Sequence, residues 1–173
     1  MLMQLLGGLA VVGSEAAIGF YYAAREGFLV QELTEFKKAL VILASEIEYM
    51  RTPLPLAAEN IGKRAEGWVG KLFTQFGELL KTGDGETAYR LWTEAIKNVK
   101  GIAFLTEEDW TVLDGFGKTL GYLDKQMQCN AIHHASAYID EKTASLQTQA
   151  AQNKKMYRSL GVIGGLLIAV MLW

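Results

Sequence analysis

Cys129 and His133 stand four residues apart, the spacing that places two side chains on one face of a helix. They are the nearest approach to a nucleophile and its base in this chain, because an imidazole beside a thiol can hold it as the reactive thiolate. The plainer reading, a small buried thiol next to a surface histidine, is preferred. His133 and His134 are adjacent, so on a helix they point about 100° apart and do not share a metal. A lone cysteine makes neither an internal disulfide nor a zinc cluster. The stretch "GDGET" lacks the glycine count and the lysine of a phosphate-binding loop. No local motif suggests a Ser-His-Asp set. Glu46 and Glu48, beside the "RTPLP" turn, read as solvated or helix-capping charges. The sequence thus suggests no enzyme, no cofactor and no metal site.

Glu15 poses a different chemical question. It lies within "LGGLAVVGSEAAIGFYYAA", residues 6–24, a segment that otherwise reads as a membrane helix. A charge at mid-bilayer costs about 2.5–3.5 kcal/mol on insertion scales, so Glu15 is expected to be protonated or turned toward protein. A contact with the helix of another subunit fits, and with it a homo-oligomer. A proton path needs a relay, and the apolar ends hold no second Asp or Glu and no His, Lys or Arg.

The elements that would position these residues follow from the distribution of charge. The net charge is −2, which announces no basic face for nucleic acid. All 17 Lys and Arg lie between Arg25 and Arg158; residues 1–24 carry only Glu15, and residues 159–173 carry no charge. The expected organisation is therefore an N-terminal transmembrane helix (1–24), a helical bundle (25–158) and a short C-terminal transmembrane helix (159–173). Nothing basic precedes the first apolar run, which argues for a retained helix over a cleaved signal peptide. The tail is shorter than the roughly 20 residues of an ordinary span, with Trp173 placed to anchor it at an interface. Gly161, Gly165 and Ala169 give it a small-residue face suited to close helix packing. Lys154, Lys155 and Arg158 before the tail, and Arg25 after the first helix, place the bundle in the cytoplasm by the positive-inside rule.

The middle reads as helix throughout. Leu29, Leu33, Phe36, Leu40, Leu43, Ile47 and Met50 repeat at spacings of four and three, an apolar seam for a bundle core. Pro53 and Pro55 stop that helix, with Thr52 as cap and Pro53 as first residue of the next, which ends near Arg64. A third helix carries Trp68, Leu72, Phe73, Phe76, Leu79 and Leu80. A fourth, capped by Asp84 or Thr82, carries Tyr89, Leu91, Trp92, Ile96 and Val99. Thr106 caps a fifth, whose Glu107, Glu108 and Asp109 suit the positive end of the helix dipole and offer an acidic contact surface. Trp110, Leu113, Phe116 and Leu120 form its apolar face, and Gly117 and Gly121 allow a close crossing or a hinge. A long polar helix from Leu123 to Tyr157 turns Met127, Ala131, Ala135, Tyr138 and Ile139 inward. The fold class is all-α: an antiparallel helical bundle flanked by two membrane helices.

Three pieces of the chain resemble the stage III sporulation AB proteins of spore-forming bacteria. They are "EIEYMRTPLPLAAENI", "FGKTLGYLDKQMQ" and "KKMYRSLGVIGGLLIAVMLW", in that order and over essentially the whole length. Their most specific residues are Glu46 with Thr52, Pro53 and Leu54; Phe116, Gly117, Leu120 and Gly121 with Asp124; and Ser159, Leu160 and Gly161. Glu15 belongs to no part of that pattern. The resemblance implies a protein of the channel complex joining mother cell and forespore, held in the mother-cell membrane around the forespore. It also implies a helical domain similar to the inner-membrane platform protein of type II secretion systems. The implied partners are the AA-type secretion ATPase of the same operon and other channel-complex membrane proteins. Three classes of function remain: an assembly platform coupled to that ATPase, a passive scaffold for the channel rings, and a membrane enzyme using Cys129 and His133.

Overall fold

The computed structural model describes residues 25–172 except Asp84, Tyr122 and Leu123; it describes the backbone but not the side chains of Lys125 and of residues 154–172. Every regular element among these residues is a helix: α1 (25–45), α2 (Leu54–Arg64), α3 (Gly67–Thr82), α4 (Ala88–Val99), α5 (Glu107–Gly117) and α6 (Lys125–Leu172). One π-helical turn, Glu46–Met50, closes α1, and one 3₁₀ turn, Lys100–Ile102, follows α4. By contact the chain divides into a unit of residues Phe28–Glu141 and a second unit formed by the two ends.

The heptad seam of α1 is buried from Leu29 to Ile47. It meets an aromatic core: Phe36 stacks on Trp68 of α3 with ring centroids 5.7 Å apart and lies 6.2 Å from Phe73. Trp92 of α4 is the hub, with Phe73, Phe76 and Phe116 all edge-on at 5.6, 5.1 and 5.5 Å. Such edge contacts match the quadrupoles of the rings and add to the burial of large apolar area. Helices α2 and α3 run antiparallel in close contact; a side-chain carbon on Gly62 would meet the Thr74 backbone, and one on Gly77 the Glu59 nitrogen at 3.2 Å. Helices α4 and α5 also run antiparallel, so that Ala88 faces Gly121, Trp92 faces Gly117 and Lys100 reaches Glu107.

Several expectations shift by a residue or a face. Met50 leaves the seam and is 70 % exposed, because the i→i+5 bonding of the π turn widens it and sets the following residue back around the axis. Helix α2 begins at Leu54 with Pro53 as its cap and Pro55 in its first turn. The cap of α4 is Thr87, whose hydroxyl accepts the Arg90 N–H at 3.3 Å; Thr82 closes α3, and Asp84 lies outside the described residues. Thr106 caps α5 as expected, in a full capping box with Asp109. The inner face of α6 is Cys129, Ile132, Ala135 and Ile139, while Met127 is exposed.

Of the two expected membrane helices, only the second falls within the described residues. Residues 1–24, with Glu15, lie outside the described residues. The tail is no separate element: α6 runs unbroken through Leu172, so the apolar residues after Ser159 end a long helix whose middle, "SLQTQAAQNKK", is polar. Among the described residues no helix is long and apolar enough to cross a membrane.

Candidate functional site

Two of the three family-like groups of residues gather at turns, and the third, Ser159, Leu160 and Gly161, lies along α6. The first joins α1 to α2. The carbonyl of Glu46 accepts the N–H groups of Arg51 and Thr52, the latter at 3.0 Å, and ends α1. Its side chain then folds inward rather than out. It is only 4 % exposed, against the expectation of a solvated charge. One carboxylate oxygen accepts the Thr52 hydroxyl at 2.5 Å and the other accepts the Asn60 amide at 3.2 Å. A buried carboxylate is tolerated only when such donors replace its water. Thr52 therefore uses its hydroxyl on Glu46, which is why Pro53 and not Thr52 stands at the cap of α2. Arg51 takes a left-handed backbone, φ 53°, the one positive φ outside glycine among the described residues. Leu54 is half-buried and Glu48 exposed.

What this latch displays is apolar. Tyr49 is 78 % exposed and Met50 70 %, and Leu56 on the first turns of α2 is also exposed. Tyrosine, methionine and arginine are the residues over-represented where proteins bind one another. Sequence reasoning missed this display because it extended a regular α-helix through Met50. Asn60, the second donor to Glu46, carried no sequence signal.

The second turn joins α5 to α6. Helix α5 ends at Gly117, so Gly117 and Gly121 do not share a helix. Gly117 is the crossing point: any side-chain carbon there would overlap the Trp92 ring, being 2.6 Å from Nε1 and 2.7 Å from Cγ. The indole N–H donates to the Leu113 carbonyl at 2.9 Å, which fixes the ring over the gap. Gly121 sits in the turn with φ +90°, where side chains are strained, and faces Ala88 of α4. Phe116 and Leu120 are buried between them. Asp124 accepts the Gln126 N–H at 2.9 Å and starts α6.

The remaining candidates divide. Asp109 is fully buried: it accepts the Thr106 N–H at 2.8 Å and the Tyr138 hydroxyl at 2.8 Å, so it is a link from α5 to α6 rather than a contact surface. Burial, then the Asp109 carboxylate, pushes the Tyr138 phenol well above its ordinary range. Glu107 pairs with Lys100 at 2.7 Å. Cys129 is buried and His133 is exposed, so the pair does not face one cleft. Among the described residues no three His, Cys, Asp or Glu side chains converge as a metal site. Gly161 and Gly165 lie on the backbone of α6, in its part without described side chains.

The chain matches the model of the family described as stage III sporulation protein AB over residues 4–173. The "Stage III sporulation protein AB" of Bacillus subtilis (strain 168) is 31% identical over 171 residues, covering 99% of each chain. A solved structure of a stage III sporulation protein AB is similar at a TM-score of 0.66 and 28% identity, covering 72% of this chain and 97% of that one.

Proposed function

The chain belongs to the stage III sporulation protein AB family, and from that premise we propose that it is a membrane platform of the sporulation channel between mother cell and forespore. Residues 1–24 hold it in the mother-cell membrane, the helical unit stands in the cytoplasm, and the AA-type secretion ATPase works against that unit. The observation that carries the reading is the turn after α1. Glu46, Thr52 and Asn60 fix a rigid backbone, and the side chains it leaves outside are Tyr49 and Met50. A rigid turn that exposes two large apolar side chains suits a recurring contact with another protein, since little side-chain and loop entropy is then lost on binding. The same surface on a passive scaffold would have no need of a motor.

The test is binding of the purified ATPase to the full chain in lipid nanodiscs. Tyr49→Ala with Met50→Ala should weaken binding roughly 30-fold, the loss of a central apolar anchor. Glu48→Gln beside them should change it little. No ATPase binding to the unaltered chain would leave the scaffold; unchanged binding by the double variant would move the contact off this turn.

A further inference from the structure

A second apolar face lies at the other end of α1. Phe28 is 53 % exposed, Ile102 52 % and Phe104 42 %. Phe28 and Phe104 stack on each other with centroids 5.4 Å apart and planes only 16° from parallel. The loop bearing Ile102 and Phe104 is tied to α1 by a second contact: the Phe104 N–H donates to the Glu32 carboxylate at 2.7 Å. Partial burial raises the Glu32 carboxyl above its ordinary pKa. The neighbouring Lys100 ammonium is matched to Glu107 at 2.7 Å. Phe28 and Phe104 are therefore held against each other, and Ile102 is exposed on the same loop.

Three large apolar groups held in water call for a cover, and the chain itself indicates which. Immediately before α1 lie 24 residues with a single charge. Phe28 stands three residues beyond Arg25, about 4.5 Å along the helix axis. The headgroup layer between hydrocarbon and water is about 5–7 Å thick. A chain that leaves the hydrocarbon near Arg25 thus delivers Phe28, and the loop stacked on it, into that layer. We infer that Phe28, Ile102 and Phe104 are a membrane-seating face, which sinks into the lipid headgroup region and holds the helical unit against the bilayer. The face is apolar where it meets lipid, as interfacial elements are. This rests on the membrane reading of residues 1–24.

The experiment reconstitutes the full chain, as Cys129→Ser, into vesicles of phosphatidylcholine and phosphatidylglycerol, with one new cysteine carrying an environment-sensitive fluorophore. Ile102→Cys reports the face, Glu48→Cys at the far end of α1 is the control, and Val12→Cys reports the apolar segment. Quenching by a lipid spin-labelled near the headgroup should be roughly twofold or more greater at residue 102 than at residue 48. It should fall to the control level when Phe28→Ser and Phe104→Ser are added. Strong quenching at residue 12 with control-level quenching at residue 102 would overturn the seating face and leave the anchor standing. Absence of quenching at residue 12 would remove the anchor itself, and the seating face with it. Since all three side chains are exposed, the serine variants should keep their fold; a retained far-ultraviolet helix signal verifies this.

Discussion

Two glycines in one helix should answer oppositely to the same substitution. Gly115 and Gly117 both lie in α5, and alanine is a better helix former than glycine by about 1 kcal/mol. A side-chain carbon at Gly115 meets nothing within 4 Å, so Gly115→Ala should stabilise the protein by about 0.5–1 kcal/mol. At Gly117 that carbon overlaps the Trp92 ring. The ring has nowhere to go: Phe73, Phe76 and Phe116 stand around it at 5.6, 5.1 and 5.5 Å, and it is fully buried. Overpacking of this kind costs about 1–3 kcal/mol. Displacing the indole also strains its bond to the Leu113 carbonyl, worth about 1 kcal/mol. Set against the propensity gain, Gly117→Ala should lose about 2 kcal/mol. For a domain of this size that is a fall in Tm of about 8 °C, against a rise of about 2–4 °C for Gly115→Ala. Thermal unfolding followed by near-ultraviolet circular dichroism would read both. Adding Trp92→Phe to Gly117→Ala should recover about 1 kcal/mol relative to the sum of the single changes. A Gly117→Ala protein as stable as Gly115→Ala would refute the close crossing of α4 on α5.

Three further outcomes follow from the buried polar groups and the surface pairs. Thr52→Val removes the hydroxyl from the Glu46 carboxylate and should cost about 2 kcal/mol in denaturant unfolding, while exposed Glu48→Gln should stay within about 0.5 kcal/mol; equal small losses would mean that the latch does not hold the turn. Lys63 and Lys81 lower the Glu59 carboxyl to about 2, so its carbon-13 titration should midpoint there and move back toward 4.5 in Lys81→Met. Because this pKa is depressed on folding, the stability it brings is present above about pH 4.5 and is lost as pH falls through about 2, and added salt should shrink it. Tyr138→Phe should cost about 1 kcal/mol and speed amide exchange in the first turn of α5, where Asp109 loses a donor. The phenol is raised above its ordinary pKa of 10.0, so its contribution is present below pH 10 and lost above it. The phenylalanine variant should show that much less alkaline loss.

How much of this was legible depends on whether a residue's role is local. The seam of α1 from Leu29 to Ile47 could be read because helix period alone decides it. Thr106 could be read as a cap because the capping box is a pattern of four residues. On α6, Ala135 and Ile139 were read correctly as inward, whereas Met127 and Ala131 match the period as well as Cys129 and Ile132, and only the shape of the core chooses between them. Glu46 was misread as solvated because its donors come from residues 52 and 60, across a turn whose path the sequence does not state. Asp109 shows both sides at once. Its acidic place in the first turn was visible locally, while its bond to Tyr138, 29 residues away, belongs to the tertiary structure.

The turn after α1 is costly in ways that a folding requirement alone does not explain. A regular helix would have kept Met50 on the seam, and burying a methionine is worth about 1.5–3 kcal/mol. Instead the chain widens its last turn, buries a carboxylate and holds Arg51 in the left-handed region, which costs a non-glycine residue about 1–2 kcal/mol. If stability were the only demand, glycine would be the natural residue at position 51. Arg51→Gly should therefore raise stability by about 0.5–1 kcal/mol, the relief of the left-handed strain less the added freedom of the unfolded chain. On the proposed platform reading, the same variant should bind the ATPase at least about tenfold more weakly, since an arginine flanking two exposed apolar side chains is a common anchor. Unfolding and binding measured on one preparation separate the two effects. A variant that is more stable and binds as before would show that Arg51 serves neither the fold nor the partner. A less stable variant would mean that the Arg51 side chain supports the turn and that the display of Tyr49 and Met50 follows from folding.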